Sequence, residues 1–83
     1  MEKVLVNLWV PCLERSFDIY LPMCRSVKEI SMYVADMLVE LTNQRYVPSG
    51  REILCSAYKN IVLQEMYTLE EYAIANGECL MFF

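Results

Sequence analysis

Residues 26–43 read SVKEISMYVADMLVELTN and have the pattern of one amphipathic helix. Their apolar side chains recur at the three- and four-residue spacing that places them on one helix face. That stripe consists of Val27, Ile30, Val34, Met37, Leu38 and Leu41. Ser26 and Glu29 have the spacing of a capping box, in which the serine oxygen accepts the Glu29 N–H and the glutamate accepts the Ser26 N–H. The apolar face of this helix needs a second layer to cover it.

The segments on either side of the helix alternate apolar and polar residues, which predicts strands. In chain order the predicted strands are 3–10, 15–21, 52–58, 61–63 and 78–83. A short helical turn, capped by a threonine, is predicted at 68–72. One helix and one mixed sheet can bury their apolar sides only against each other. This predicts a single two-layer α+β domain over residues 1–83.

Composition excludes several classes of function. The chain has a formal net charge of −4 and no histidine. An acidic chain is repelled by phosphate backbones, so no nucleic-acid partner is expected. Without histidine, the commonest general base and metal ligand is missing, so we expect no enzyme, metal site or cofactor. No apolar run approaches the roughly 18–20 residues that cross a bilayer, so direct membrane insertion is not expected.

The four cysteines are Cys12, Cys24, Cys55 and Cys79, and no two of them form a C-x-x-C motif. The N-terminus lacks the basic and apolar regions of a signal peptide. We therefore expect reduced thiols in a cytoplasmic protein. Catalysis by a cysteine is not expected either, because no histidine is present to activate the thiol.

Two segments resemble the ubiquitin-like β-grasp superfamily. The first is the strand FDIYL at 17–21, followed by a short loop and the hydroxyl cap that opens the helix. The second is TLEEYAIANG at 68–77, which is similar to the T-L-x-D-Y-x-I turn of these proteins. In that turn the threonine is the cap, the leucine and isoleucine plug the core, and the tyrosine hydroxyl holds the loop to nearby backbone. The resemblance implies a ββαββ fold with sheet order 2-1-5-3-4 and the helix across one face.

The sheet face opposite the helix is the predicted working surface. Alternation places Ile53, Cys55 and Ala57 of the third strand toward the core, which leaves Leu54 pointing outward. The predicted partner-binding residues on the open face are Leu5, Trp9, Leu54, Met81 and Phe83. Aromatic and methionine side chains suit a protein interface. A one-residue slip in a strand would exchange its two faces.

Among ubiquitin-like proteins that are not conjugated to other proteins, the sequence is most similar to the YukD/EsaB family, encoded with type VII (ESX/WXG100) secretion systems of Gram-positive bacteria. It shares their I-x-N-G-x-x-L ending, at Ile74, Asn76, Gly77 and Leu80. The resemblance implies a cytoplasmic accessory or regulatory role through protein–protein contacts. The expected partners are components of the secretion machinery, or a second copy of the chain docked through the open sheet face.

Two other functions stay open at this point. A ubiquitin-like modifier or sulfur carrier needs a C-terminal Gly-Gly, and the sequence ends in Met81-Phe82-Phe83. The other is a ubiquitin-like adaptor domain of a eukaryotic protein. The initial methionine and the stop at the last strand make this second function less expected.

Overall fold

The structure is a computed structural model that describes residues 2–83; Met1, the first residue of the predicted domain, lies outside the described residues. The strands are β1 (Lys3–Val10), β2 (Arg15–Pro22), β3 (Leu54–Ser56), β4 (Ile61–Val62) and β5 (Glu78–Phe82), and the helix α1 is Val27–Leu41. A short 3-10 helix, Pro11–Leu13, joins β1 to β2. The sheet order is β2-β1-β5-β3-β4, which confirms the predicted mixed sheet.

The first and last strands pair in the middle of the sheet. β1 and β5 run parallel, and every other pair of neighbouring strands is antiparallel. A parallel pair needs a crossover connection between its strands. Here α1, β3 and β4 all lie between β1 and β5 in the chain, so the central pairing closes the fold around the helix.

The helix begins where the sequence predicts, at the Ser26 cap. The Glu29 N–H donates to Ser26 Oγ at 3.2 Å, and the Ser26 hydroxyl donates to the Glu29 carboxylate at 3.3 Å. The carboxylate therefore accepts the serine hydroxyl and not the Ser26 N–H that a full capping box uses. The first helical amide, of Val27, donates to the Tyr67 carbonyl at 2.7 Å, which ties the helix start to the loop before β5.

The helix stripe packs on the inner face of the sheet to form the core. Its buried residues are Val27, Ile30, Val34, Ala35 and Leu38. Leu41 is 54% exposed, contrary to prediction, although the helical repeat points it toward the stripe. Periodicity fixes the direction of a side chain but not whether the partner layer reaches it, and Leu41 is the last residue of the helix. No helix among residues 2–83 is long and apolar enough to span a bilayer.

The third strand is shorter than predicted, and its two faces are exchanged. Leu54 pairs with Phe82, so the two side chains share a face, and both are buried. Leu54 is 1% exposed and Ile53 is 46% exposed, so Leu54 lies in the core and not on the open face. The prediction that Leu54 lies on the open face, among the partner-binding residues there, is therefore wrong.

The sequence pattern mispredicts the two faces of β3 because the inward face carries a buried serine. Ser56 shares the inward face with Leu54 and is 1% exposed. Its hydroxyl donates to Glu78 Oε2 at 2.8 Å and accepts the Lys59 N–H at 3.1 Å, so burial leaves no unpaired hydroxyl. The sequence pattern instead favours the other face as the buried one, because Ile53, Cys55 and Ala57 are all apolar whereas Ser56 is polar.

The predicted turn at 68–77 has the predicted contacts. The Glu71 N–H donates to Thr68 Oγ1 at 3.1 Å, and the Thr68 N–H donates to the Glu71 carboxylate at 2.9 Å, which is a complete capping box. The Tyr72 hydroxyl accepts the Gln64 N–H at 2.9 Å. The two buried plugs are Leu69 and Ile74. One helical hydrogen bond, from the Tyr72 N–H to the Thr68 carbonyl, forms the predicted helical turn, which does not extend into a helix.

Glu78 anchors the start of β5 to the neighbouring strand. Its carboxylate accepts from Lys59 Nζ at 3.0 Å, from the Ser56 hydroxyl and from the Ala75 N–H. Burial opposes its ionisation, but the hydrogen bonds from Lys59, Ser56 and Ala75 outweigh it and hold the pKa of Glu78 below its ordinary value. Glu78 is therefore a carboxylate whose charged form the folded state stabilises.

We predict that Glu78→Gln lowers the free energy of unfolding at pH 7 by about 1.5–3 kcal/mol, the range for hydrogen bonds to a charged group. Because the folded pKa is depressed, this contribution is fully present above the unfolded carboxyl pKa of about 4.3 and is lost as pH falls through the folded value. Urea unfolding of both proteins at pH 7 and at pH 3 measures the difference. The exposed Glu40→Gln is the control, and a Glu78 effect of equal size at both pH values would contradict the prediction.

A second prediction concerns the register of β3. Leu54→Ala should cost about 2–5 kcal/mol, because it leaves a cavity in the core. Ile53→Ala should cost less than about 1 kcal/mol, because that side chain is largely in solvent. Chemical denaturation of the two variants measures both values, and the reverse order would show that the originally expected register is the right one.

Candidate interaction surface

One row of side chains crosses all five strands on the face opposite the helix. Cross-strand partners share a face of the sheet. From β2 to β4 the paired residues are Ser16, Trp9, Met81, Cys55 and Val62. Four of these five residues are apolar or sulfur-containing, so the middle of the row offers no charge.

The apolar surface extends beyond this row at the end of β5. Ile53 and Phe83 exchange both backbone hydrogen bonds, each at 2.9 Å, so they are direct cross-strand neighbours. Phe83 is 54% exposed and Val62 is 57% exposed, whereas Trp9 and Met81 are half-buried. We define the open-face patch as Trp9, Ile53, Cys55, Val62, Met81 and Phe83.

A polar row limits the patch on its other side. Asn7 Nδ2 donates to Asp18 Oδ1 at 3.1 Å, and Cys79 Sγ lies 3.8 Å from Asn7 Oδ1. Beyond that row, Leu5 pairs with Tyr20 at the far end of the sheet. Leu5 is therefore on the open face, as predicted, but the polar row separates it from the patch.

Of the five predicted partner-binding residues, the structure brings Trp9, Met81 and Phe83 together. Leu5 lies apart from them and Leu54 lies in the core. Two exposed members of the patch, Ile53 and Val62, were not predicted. The outward position of Ile53 could have been predicted, because it follows from pairing Leu54 with Phe82 in the core. The role of the patch in binding stays a prediction.

The side chains of the open-face patch are suited to apolar contact with a partner. Partial burial raises the pKa of the Cys55 thiol, which keeps it protonated and weakly nucleophilic. Among residues 2–83, no cluster of three or more His, Cys, Asp or Glu side chains is placed to hold a metal ion. The side chains of the patch can bury apolar area against a partner: tryptophan and phenylalanine offer large rigid rings, and methionine adapts its shape to the surface it meets.

No protein-family model matches this sequence, and no curated protein matches it either. Solved structures do match its fold. The EccD5 ubiquitin-like domain from Mycobacterium xenopi superposes with a TM-score of 0.81 and 11% identity, covering 100% of this chain and 94% of that one. The ubiquitin-like domain of the Mycobacterium tuberculosis type VII secretion system protein ECCD1 gives 0.79 and 14%, covering 99% and 98%.

A third match comes from a complex of a different kind. A chain of the toluene 4-monooxygenase HD complex with the inhibitor 4-bromobenzoate gives a TM-score of 0.79 and 15% identity, covering 98% of this chain and 96% of that one. Identities of this size show the fold alone. The strand order, the helix position and these superpositions agree, and the chain has the ubiquitin-like β-grasp fold.

Proposed function

We propose that this chain is a non-enzymatic, non-conjugated ubiquitin-like protein that acts by docking its open-face patch on a protein partner. Its cellular role is that of a cytoplasmic accessory or regulatory component of a type VII secretion system. The observation that carries the docking proposal is the continuous patch around Trp9, Met81 and Phe83 on the sheet face opposite α1.

The patch has the composition of a binding hot spot. Its centre is uncharged, and the nearest charged residue on this face of the sheet ladder, Asp18, lies one row away and accepts a hydrogen bond from Asn7. Aromatic residues and methionine are enriched at protein interfaces, where charged residues are depleted at the core. An uncharged contact also allows a chain of net charge −4 to bind a partner with little electrostatic repulsion.

The type VII assignment rests on two independent likenesses. Two of the similar structures are ubiquitin-like domains of EccD proteins, one of them described as a type VII secretion system protein. The sequence itself resembles the YukD/EsaB family in its I-x-N-G-x-x-L ending, at Ile74, Asn76, Gly77 and Leu80. Four free thiols are consistent with a reducing compartment, which supports the cytoplasmic location.

The test of this proposal is capture of the partner with a matched pair of variants. Phe83→Glu places a charge in the open-face patch, and Met32→Glu makes the same kind of change on the exposed side of α1. Both side chains are exposed, so both variants should fold, which circular dichroism checks. Tagged proteins are crosslinked in the source cells, and mass spectrometry quantifies the captured secretion components.

We expect the wild-type chain and Met32→Glu to capture secretion-system components, and Phe83→Glu to lose at least about 90% of that capture, since a buried charge without a partner is costly. Capture that survives Phe83→Glu contradicts docking through the patch. Absence of secretion components from every sample contradicts the type VII role. If sedimentation shows a wild-type dimer that Phe83→Glu dissociates, a second copy of the chain occupies the patch.

A further inference from the structure

A second apolar surface lies at the β4 edge of the sheet, next to the start of the helix. It is a cleft of about 370 Å³. Its floor consists of buried core side chains, Val27, Leu54 and Leu63. One wall is Met66, which is 73% exposed in the loop after β4. We call this depression the edge cleft.

The strand that borders the edge cleft has free backbone groups. The Leu63 N–H donates to the Leu54 carbonyl at 2.8 Å, so these two residues form a hydrogen-bonded pair of the antiparallel ladder. Such pairs alternate along a ladder with pairs that do not bond to each other. Val62, opposite Cys55, is therefore in a non-bonded pair, and its N–H and C=O point away from the sheet. An extended segment beside β4 can bond to both groups.

The charges at the edge cleft are acidic. Glu52 and Glu65 both line it. The Glu52 carboxylate accepts the Ser49 N–H at 2.6 Å and the Tyr46 hydroxyl at 3.3 Å. Burial opposes its ionisation, but the hydrogen bonds from Ser49 and Tyr46 outweigh it and lower the pKa of Glu52. This negative charge is therefore fixed in position at neutral pH.

The second acidic residue is on the loop that closes the cleft. The Glu65 carbonyl accepts the Lys28 N–H at 3.2 Å, which fixes this loop against the first turn of α1. The Glu65 side chain is exposed. Lys28 is the nearby cation on α1, but it does not line the cleft. An apolar cleft lined by two glutamates, on a chain of net charge −4, is complementary to a basic and apolar ligand.

We propose that the edge cleft binds an extended, basic segment of a protein partner. An aliphatic side chain of that segment enters the cleft beside Met66, its backbone bonds to Val62, and flanking lysine or arginine side chains face Glu52 and Glu65. This proposal does not depend on docking through the open-face patch, which the edge cleft adjoins. Ile53 and Val62 line both surfaces, so the two contacts meet at β4.

The test uses the full chain, labelled with 15N, and three synthetic peptides of equal length. In the first, a lysine stands two positions before and two positions after each isoleucine, with threonine between, so that these side chains share one face of the extended peptide; the second replaces each lysine with glutamate; the third replaces each isoleucine with serine. Titrations followed by two-dimensional NMR locate and quantify binding. We expect the lysine–isoleucine peptide to shift the amides of Val62, Leu63, Glu65 and Met66, and each replacement to weaken binding at least about tenfold.

A charge reversal separates electrostatic recognition from general stickiness. Glu65→Lys should weaken binding of the lysine–isoleucine peptide at least about tenfold and improve binding of the glutamate peptide. Glu40→Lys makes the same charge change on the exposed surface of α1 and should leave both affinities within about twofold. These outcomes concern the edge cleft only, so they are independent of whether Phe83→Glu abolishes partner capture.

Three results would overturn the proposal. One is the absence of any shift with the lysine–isoleucine peptide at millimolar concentration. The second is a set of shifts centred on Trp9 and Met81, which would place the peptide on the open-face patch. The third is equal binding of the lysine and glutamate peptides to the wild-type chain, which would remove the role of Glu52 and Glu65.

Discussion

A single α-helix among residues 2–83 has to cover a five-stranded sheet, and it can reach only one of the two faces. The core depends on this contact, which joins the buried stripe of α1 to the inward side chains of β1 and β5, and buried loop residues such as Tyr46, Leu69 and Ile74 complete it. Burial of apolar area is the dominant favourable term in folding. The chain is 57% hydrophobic, and the inner face does not take up all of its large apolar residues. Part of the remainder lies on the open face and at the β4 edge.

The central pairing of β1 with β5 decides where that remainder collects. Trp9 and Met81 are 72 positions apart in the chain and directly opposite each other in the ladder. β3 then pairs on the other side of β5 and brings Cys55 opposite Met81. The open-face patch is therefore assembled from three distant segments, and it exists only when the parallel pair has formed. Stability of the fold and presence of the surface are linked through this one pairing.

Local signals predicted the elements that local interactions determine. The helix start at Ser26 follows from a cap within one turn, and the Thr68 turn follows from hydrogen bonds between residues three apart. The strand order came from a family resemblance, since no local pattern sets the neighbours of a strand. Leu54 was misplaced because Ser56, on the same face, reads as a solvent residue in the sequence, whereas its hydroxyl is buried and donates to Glu78, 22 positions away. The edge cleft was not predicted, because the packing of the Met66 loop against α1 leaves no periodic pattern in the sequence.

The most direct test of the open face as the working surface uses Trp9, the single tryptophan of the chain. Quenching of its fluorescence by acrylamide reports how far solvent reaches the middle of the open-face patch. Trp9 should be open to quenching in the free protein, and the quenching constant should fall severalfold when a captured partner is added. A tryptophan that is already protected in the free protein, or whose quenching is unchanged by the bound partner, would contradict docking through this face.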